Sequence, residues 1–263
     1  MKTNEITWIE WYDENKAKSI NDKLDPLRDL LQRNRLLLPV LTTLIKEEIA
    51  NNIETEVSEE IRIEEKDILM KTYNIDASAP TKQIEEKINN YFLTLEKLDY
   101  QVKIESKCRE WSRIIWGEDI PSIYIERKDS YDIASFRIMR FEQDKAVYAN
   151  EIYHKIKNDE ITFKEAAIKY GSEEDRLSRA KVISKPINKL SKQLLPRLQR
   201  LKKNELSLPF KMENWIIMAQ LLDIKISKLD NSLENKILKE KLDSFVKYGA
   251  LKIASYLHQT TTN

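Results

Sequence analysis

Apolar residues recur every three or four positions from Leu24 to Ile53, at Leu27, Leu30, Leu31, Leu38, Leu41, Leu44, Ile45, Ile49 and Ile53. That period lines them along one face of a helix. Asp25-Pro26 suits its first turn, where the N–H that proline lacks would have no partner. Pro39 lies inside the pattern and predicts a kink or break near Leu38. Val57 to Tyr73, rich in Glu and Lys, reads as a second helix and Asn74 to Pro80 as a loop. Thr81 can N-cap a third helix whose core face is Ile84, Ile88, Phe92 and Leu95. Tyr100 to Trp116 is a fourth, ended by Gly117 and Pro121.

The pattern then changes. Ile123 to Phe141 holds short alternating or β-branched pieces, of which Ile133 to Met139 is the best strand. Asp144 to Lys157 returns to a helical period. Thr162-Phe163-Lys164-Glu165 is a capping box opening a short helix through Tyr170. Ile187 to Lys203 reads as a helix with Pro196 inside it. Trp215 to Leu222 is the clearest strand, and Leu229 to Leu257 a long closing helix with its stripe at Leu233, Ile237, Leu238, Leu242, Phe245, Val246 and Ile253. These elements predict a predominantly helical α+β protein with a domain boundary between Gly117 and Asp132.

Composition narrows the chemistry. The 263 residues suffice for one large domain or two small ones. Three glycines leave no glycine-rich phosphate loop, which argues against an ATPase or Rossmann enzyme. The single cysteine, Cys108, excludes an internal disulfide and a CxxC metal site. No HExxH, no His/Cys/Asp cluster and no Gly-x-Ser-x-Gly elbow occurs, so neither metal nor cofactor is expected. Met1 to Asn15 has no signal-peptide core and no run is long enough to span a bilayer, so the expected compartment is the cytoplasm.

The formal net charge is +1, from 45 basic and 44 acidic residues, which gives no overall footprint for nucleic acid. Locally the balance tilts. Leu177 to Asn204 contains no Asp or Glu but includes Lys185, Lys189, Lys192, Arg197 and Arg200, whereas Glu47 to Asp67 is acidic. The two runs read either as solvated faces that attract each other or as a basic rim for acidic peptides.

The stretch from Ile152 to Leu222 resembles the parvulin-type peptidyl-prolyl isomerase domain. Phe163-Lys164-Glu165-Ala166-Ala167-Ile168-Lys169-Tyr170-Gly171 is similar to the family's "FxxxAxxYS" phrase, and Asn204-Glu205-Leu206-Ser207-Leu208-Pro209-Phe210 to its "GExSxPV" turn, with Asn204 in place of Gly. The resemblance spans residues 131–226. With a helical module over 1–120 and a closing helix over 228–259 that returns to it, the layout is similar to that of SurA-like chaperones.

An isomerase of this kind need break no covalent bond. It lowers the barrier to X–Pro rotation, roughly 18–20 kcal/mol, by holding the ring in an apolar pocket and favouring the twisted amide. The family uses two histidines and a Cys or Asp in one hydrogen-bonded network. The resemblance places these at Phe136 or Arg137, at Ile217 and near Glu173, so Arg137 and Glu173 are the implied catalytic candidates and neither histidine position is a histidine. The chain's two histidines, His154 and His258, lie elsewhere. The family's paired glycine falls about Ala180 and Lys181. Leu190 and Leu194 match the proline-pocket positions on one helix face, with Phe210 and Trp215 beside them; the same leucines also suit an ordinary helix core. The resemblance implies a folding or secretion chaperone for unfolded or proline-containing polypeptides, with isomerase activity weak or lost. The alternative is a helical scaffold with no isomerase relationship and no sheet.

Overall fold

The computed structural model describes residues 3–260. In chain order the helices are α1 (Asn4–Trp11), α2 (Glu14–Leu24), α3 (Arg28–Arg33), α4 (Leu37–Asn51), α5 (Glu59–Thr72), α6 (Thr81–Asn89), α7 (Leu95–Trp116), α8 (Ile120–Glu126) and α9 (Lys128–Tyr131). Strand β1 (Ile133–Glu142) follows, then α10 (Ala146–Lys157), α11 (Phe163–Tyr170), α12 (Glu173–Ser178), β2 (Ile183–Pro186), α13 (Leu195–Gln199), β3 (Phe210–Met212), β4 (Trp215–Lys225) and α14 (Asn231–Thr260). The protein is α+β and mostly helical, and its sheet removes the all-helical alternative. The chain divides into two compact units, 1–123 with 229–263, and 124–228.

In the first unit, α14 packs on α1, α4 and α7. Trp8, Trp11, Trp111 and Trp116 gather around Phe245 at ring separations of 5.1–5.9 Å. A second cluster, Met70, Ile75, Ile84, Ile88 and Leu98, joins α5, α6 and α7. The segment Leu24 to Ile53 is three helical pieces rather than one. The break falls at Asn34–Leu36, where Arg35 is left-handed (φ 59) and the Leu36 N–H donates to the Leu31 carbonyl at 2.8 Å. Pro39 therefore sits in the first turn of α4, where its missing N–H costs no bond. Phe92 is 91% exposed and left-handed, past the end of α6, and is no part of its core face.

In the second unit, four antiparallel strands lie in the order β2-β1-β4-β3. Alternation along β1 and β4 splits the apolar side chains between two faces. Met139, Phe141, Ile216 and Met218 pack under α10 and α11 with Ile152, Phe163 and Ala167. Ala134, Phe136, Ile217, Ala219 and Leu221 pack with Ile187, Leu194, Leu198 and Phe210. The capping box at Thr162 and Glu165 is formed in full. Ile187 to Lys203 is not one helix. A 3-10 turn over Ile187–Lys189 and the five-residue α13 are separated by irregular chain, and Pro196 lies in the first turn of α13.

Candidate functional site

The site is built on the central strand pair. β4 lies beside β1 with Ile217 directly opposite Arg140, and Phe141 opposite Ile216. Arg140 is held from three sides. Its guanidinium donates to Asp175 at 2.7 Å and to Glu174 at 3.1 Å, and its backbone N–H donates to the other Asp175 oxygen at 2.7 Å. Asp175 is 3% exposed and also accepts from the Ser172 hydroxyl at 2.8 Å, while the Ser172 N–H donates to the Arg140 carbonyl at 3.0 Å. This knits the start of α12 to β1. The arrangement is two facing strand positions with a carboxylate beside them. The guanidinium is always charged and only donates, so it orients and screens but does not exchange protons.

The resemblance implied Phe136 or Arg137 for the first strand position. Arg137 lies opposite Gln220, and its odd-numbered place on β1 puts it on the other face from Arg140. Its Nε is buried with no hydrogen-bond partner. The Arg140–Asp175 pair is what sequence reasoning missed. The period of two was a usable signal, because Ile138 and Arg140 must share the face on which Ala134 and Phe136 are buried.

Glu173 is exposed at the first turn of α12, which Ser172 N-caps. It lines a cleft of about 700 Å³ with Arg140, Tyr148, Tyr170 and Trp215. Tyr148 and Tyr170 meet edge to face at 5.8 Å, and Trp215 is 37% exposed. Leu190, Leu194 and Phe210 belong to a different group, the core on the Ile217 face. Leu190 is extended and Leu194 precedes α13, so the two share no helix face; the chain's closure over the sheet brings them together. Leu194 and Phe210 are 6% and 8% exposed, and the Arg197 guanidinium covers the Phe210 ring at 4.1 Å. Leu190, Leu195 and Met212 are half-buried at the rim of this core. The structure thus pairs Glu173 with Trp215 and Leu190 with Leu194 and Phe210. His154 is exposed on α10, and the His258 side chain lies outside the described residues.

The turn after α13 is tied to β4. The Asn204 N–H donates to the Leu221 carbonyl at 2.7 Å, the Ser207 N–H to that of Ala219 at 2.7 Å, and the Ala219 N–H to the Ser207 hydroxyl at 2.9 Å. Asn204 is left-handed (φ 65), as are Arg179 (φ 53) and Ala180 (φ 48). Glycine is the residue that adopts this conformation without steric cost.

No protein-family model matches the chain, and no curated protein does. Among solved structures the chain is similar to the foldase PrsA of Streptococcus pneumoniae, at 14% identity over 89% of this chain and 88% of that one, with a TM-score of 0.40. It is similar to the peptidylprolyl isomerase PrsA of Bacillus anthracis, at 16% identity over 82% and 95%, TM-score 0.35. A SurA-like chaperone of Campylobacter jejuni is similar at 11% identity over 80% and 94%, TM-score 0.38. Likeness at this level says nothing about which residues act. No helix among the described residues is long and apolar enough to cross a membrane.

Proposed function

We propose that this protein is a folding chaperone that binds unfolded or proline-containing polypeptides through a parvulin-like domain whose isomerase activity is weak or lost. The observation that carries the reading is the cross-strand pair Arg140–Ile217 with Asp175 beside it. Two facing strand positions and a carboxylate stand together there, and neither strand position carries a proton-exchanging group. Left-handed backbone at Asn204, and at Ala180 about where the family carries its paired glycine, supports the same descent. Glu142 and Glu173 are both exposed carboxylates of the cleft, and Glu142 pairs with Lys145, so any residual catalysis is assigned to Glu173 rather than to Arg137. Apolar contact with the client is assigned to Trp215, Leu190 and the rim of the core that holds Leu194 and Phe210.

The test is an isomerisation assay on a panel of X–Pro peptides beside a binding titration of the same peptides. Uncatalysed exchange takes about tens to hundreds of seconds, so slight catalysis is measurable. The expected result is saturable binding, weakened by Leu190→Asp, with little or no acceleration. Strong acceleration that Glu173→Gln abolishes would show a working histidine-free isomerase. Absence of binding overturns the reading.

A further inference from the structure

The formal net charge of +1 conceals a segregation that follows the two units. Residues 124–228 hold 22 Lys and Arg against 15 Asp and Glu, and the rest of the chain holds 23 against 29. Part of this excess lies at a sheet edge. β2 is an outer strand of the β2-β1-β4-β3 sheet; Lys185 lies on it and Lys181 two residues before it, and both are exposed, as are Lys189 and Lys192 further along the chain. None of the four is paired with a carboxylate among the described residues.

The backbone of β2 is available too. The Ile187 N–H donates to the Asp132 carbonyl at 2.9 Å. In the same register Lys185 faces Ala134, Ser184 faces Ser135 and Ile183 faces Phe136. Bonded and non-bonded pairs alternate along an antiparallel ladder. Asp132–Ile187, Ala134–Lys185 and Phe136–Ile183 are therefore the bonded pairs, and Ser184 falls between them with its N–H and C=O directed away from β1. Two further details agree. Pro186, which has no N–H to give, occupies another non-bonded position, and the Ser135 and Ser184 hydroxyls meet at 2.8 Å, as the closer spacing of such a pair allows.

We propose that the β2 edge captures an extended acidic segment of a polypeptide as an added strand. Outward backbone groups at Ser184 bond its main chain, and Lys181 and Lys185 select its carboxylates. The inference rests on the chaperone reading and adds the class of client. An extended polypeptide is favoured over a nucleic acid because it alone completes a strand ladder. The aromatics Tyr148, Tyr170 and Trp215, which would stack bases, line the cleft at the other end of β1.

The experiment is anisotropy of a labelled peptide alternating Glu with Val, against the same peptide with Gln for Glu, on the full chain. The Glu peptide is expected to bind about tenfold tighter at low salt, with the difference shrinking as NaCl rises. The double variant K181E/K185E removes that preference and leaves the Gln peptide unaffected. Ser184→Pro, which deletes the outward N–H without breaking a ladder bond, weakens both peptides, whereas Ser184→Ala does not. Equal affinity for the two peptides, unchanged by the double variant, overturns the inference and leaves the chaperone reading standing. Tighter binding of a single-stranded oligonucleotide or of anionic-lipid vesicles at the same lysines also overturns it. Binding of neither peptide removes the inference and the reading together.

Discussion

Eight described non-glycine residues have positive φ, and no glycine does. A chain with three glycines has met its tight turns with Asn, Asp, Arg, Glu, Phe and Ala, at a cost of roughly 1–2 kcal/mol for an ordinary side chain and less for Asn. Exposed Arg179 carries that cost in full, so Arg179→Gly is expected to stabilise the protein by about 0.5–1 kcal/mol after glycine's added chain entropy. Asn204→Gly should change stability by less than about 0.5 kcal/mol; denaturant midpoints for the two variants check both. Asp132 gives a second prediction. Burial would raise its carboxyl, but hydrogen bonds from Lys128 (2.8 Å) and the Ser227 hydroxyl (2.6 Å) outweigh that and hold it below the ordinary value of 3.8. A depressed carboxyl contributes stability that is fully present above its unfolded pKa and is lost as pH falls through the folded one. Urea melts below about pH 4 should show that loss in the parent protein and a flatter slope in Asp132→Asn.

At the scale of elements, proline and register decide what apolar period alone does not. A helix period ran through Leu24 to Ile53 and through Ile187 to Lys203, and both segments broke. In the first, a left-handed Arg35 lets α3 close with its own capping bonds before α4 begins. In the second, Pro196 has no N–H for a helix begun at Ile187, and α13 starts with proline in its first turn. α14 shows the converse. Gly249 lies mid-helix, where Ala would ordinarily be better by about 1 kcal/mol. A Cβ there would fall within the Trp8 ring, which is 7% exposed. Gly249→Ala is therefore expected to destabilise, by about 1–3 kcal/mol, against the helix propensity scale. A thermal melt followed by tryptophan fluorescence reads it.

For the whole molecule, the second unit is an insertion between α7 and α14, bounded by 124–228. Its ends are close, since the Tyr124 hydroxyl donates to the Ser227 carbonyl at 2.8 Å and Asp132 accepts from the Ser227 N–H at 2.8 Å. It has two apolar cores of its own on the faces of one sheet. Residues 124–228 expressed alone are expected to fold cooperatively, with dispersed amide NMR signals and the basic character of the parent unit; a collapsed, undispersed spectrum would refute that autonomy. A net charge of +1 cannot report such a division, because it sums two opposite excesses.

The sequence by itself determined the helical weight of the fold, the capping box at Thr162 and the strand through Trp215. These are local properties, legible in period, cap chemistry and residue identity. The tertiary structure alone decided that Arg140 faces Ile217 and binds Asp175, that Leu190 and Leu194 meet without a shared helix, and that β2 lies at an outer edge of the sheet. Each of these depends on which distant segments pair and in what register, and a shift of one residue in a strand would send every side chain to the other face.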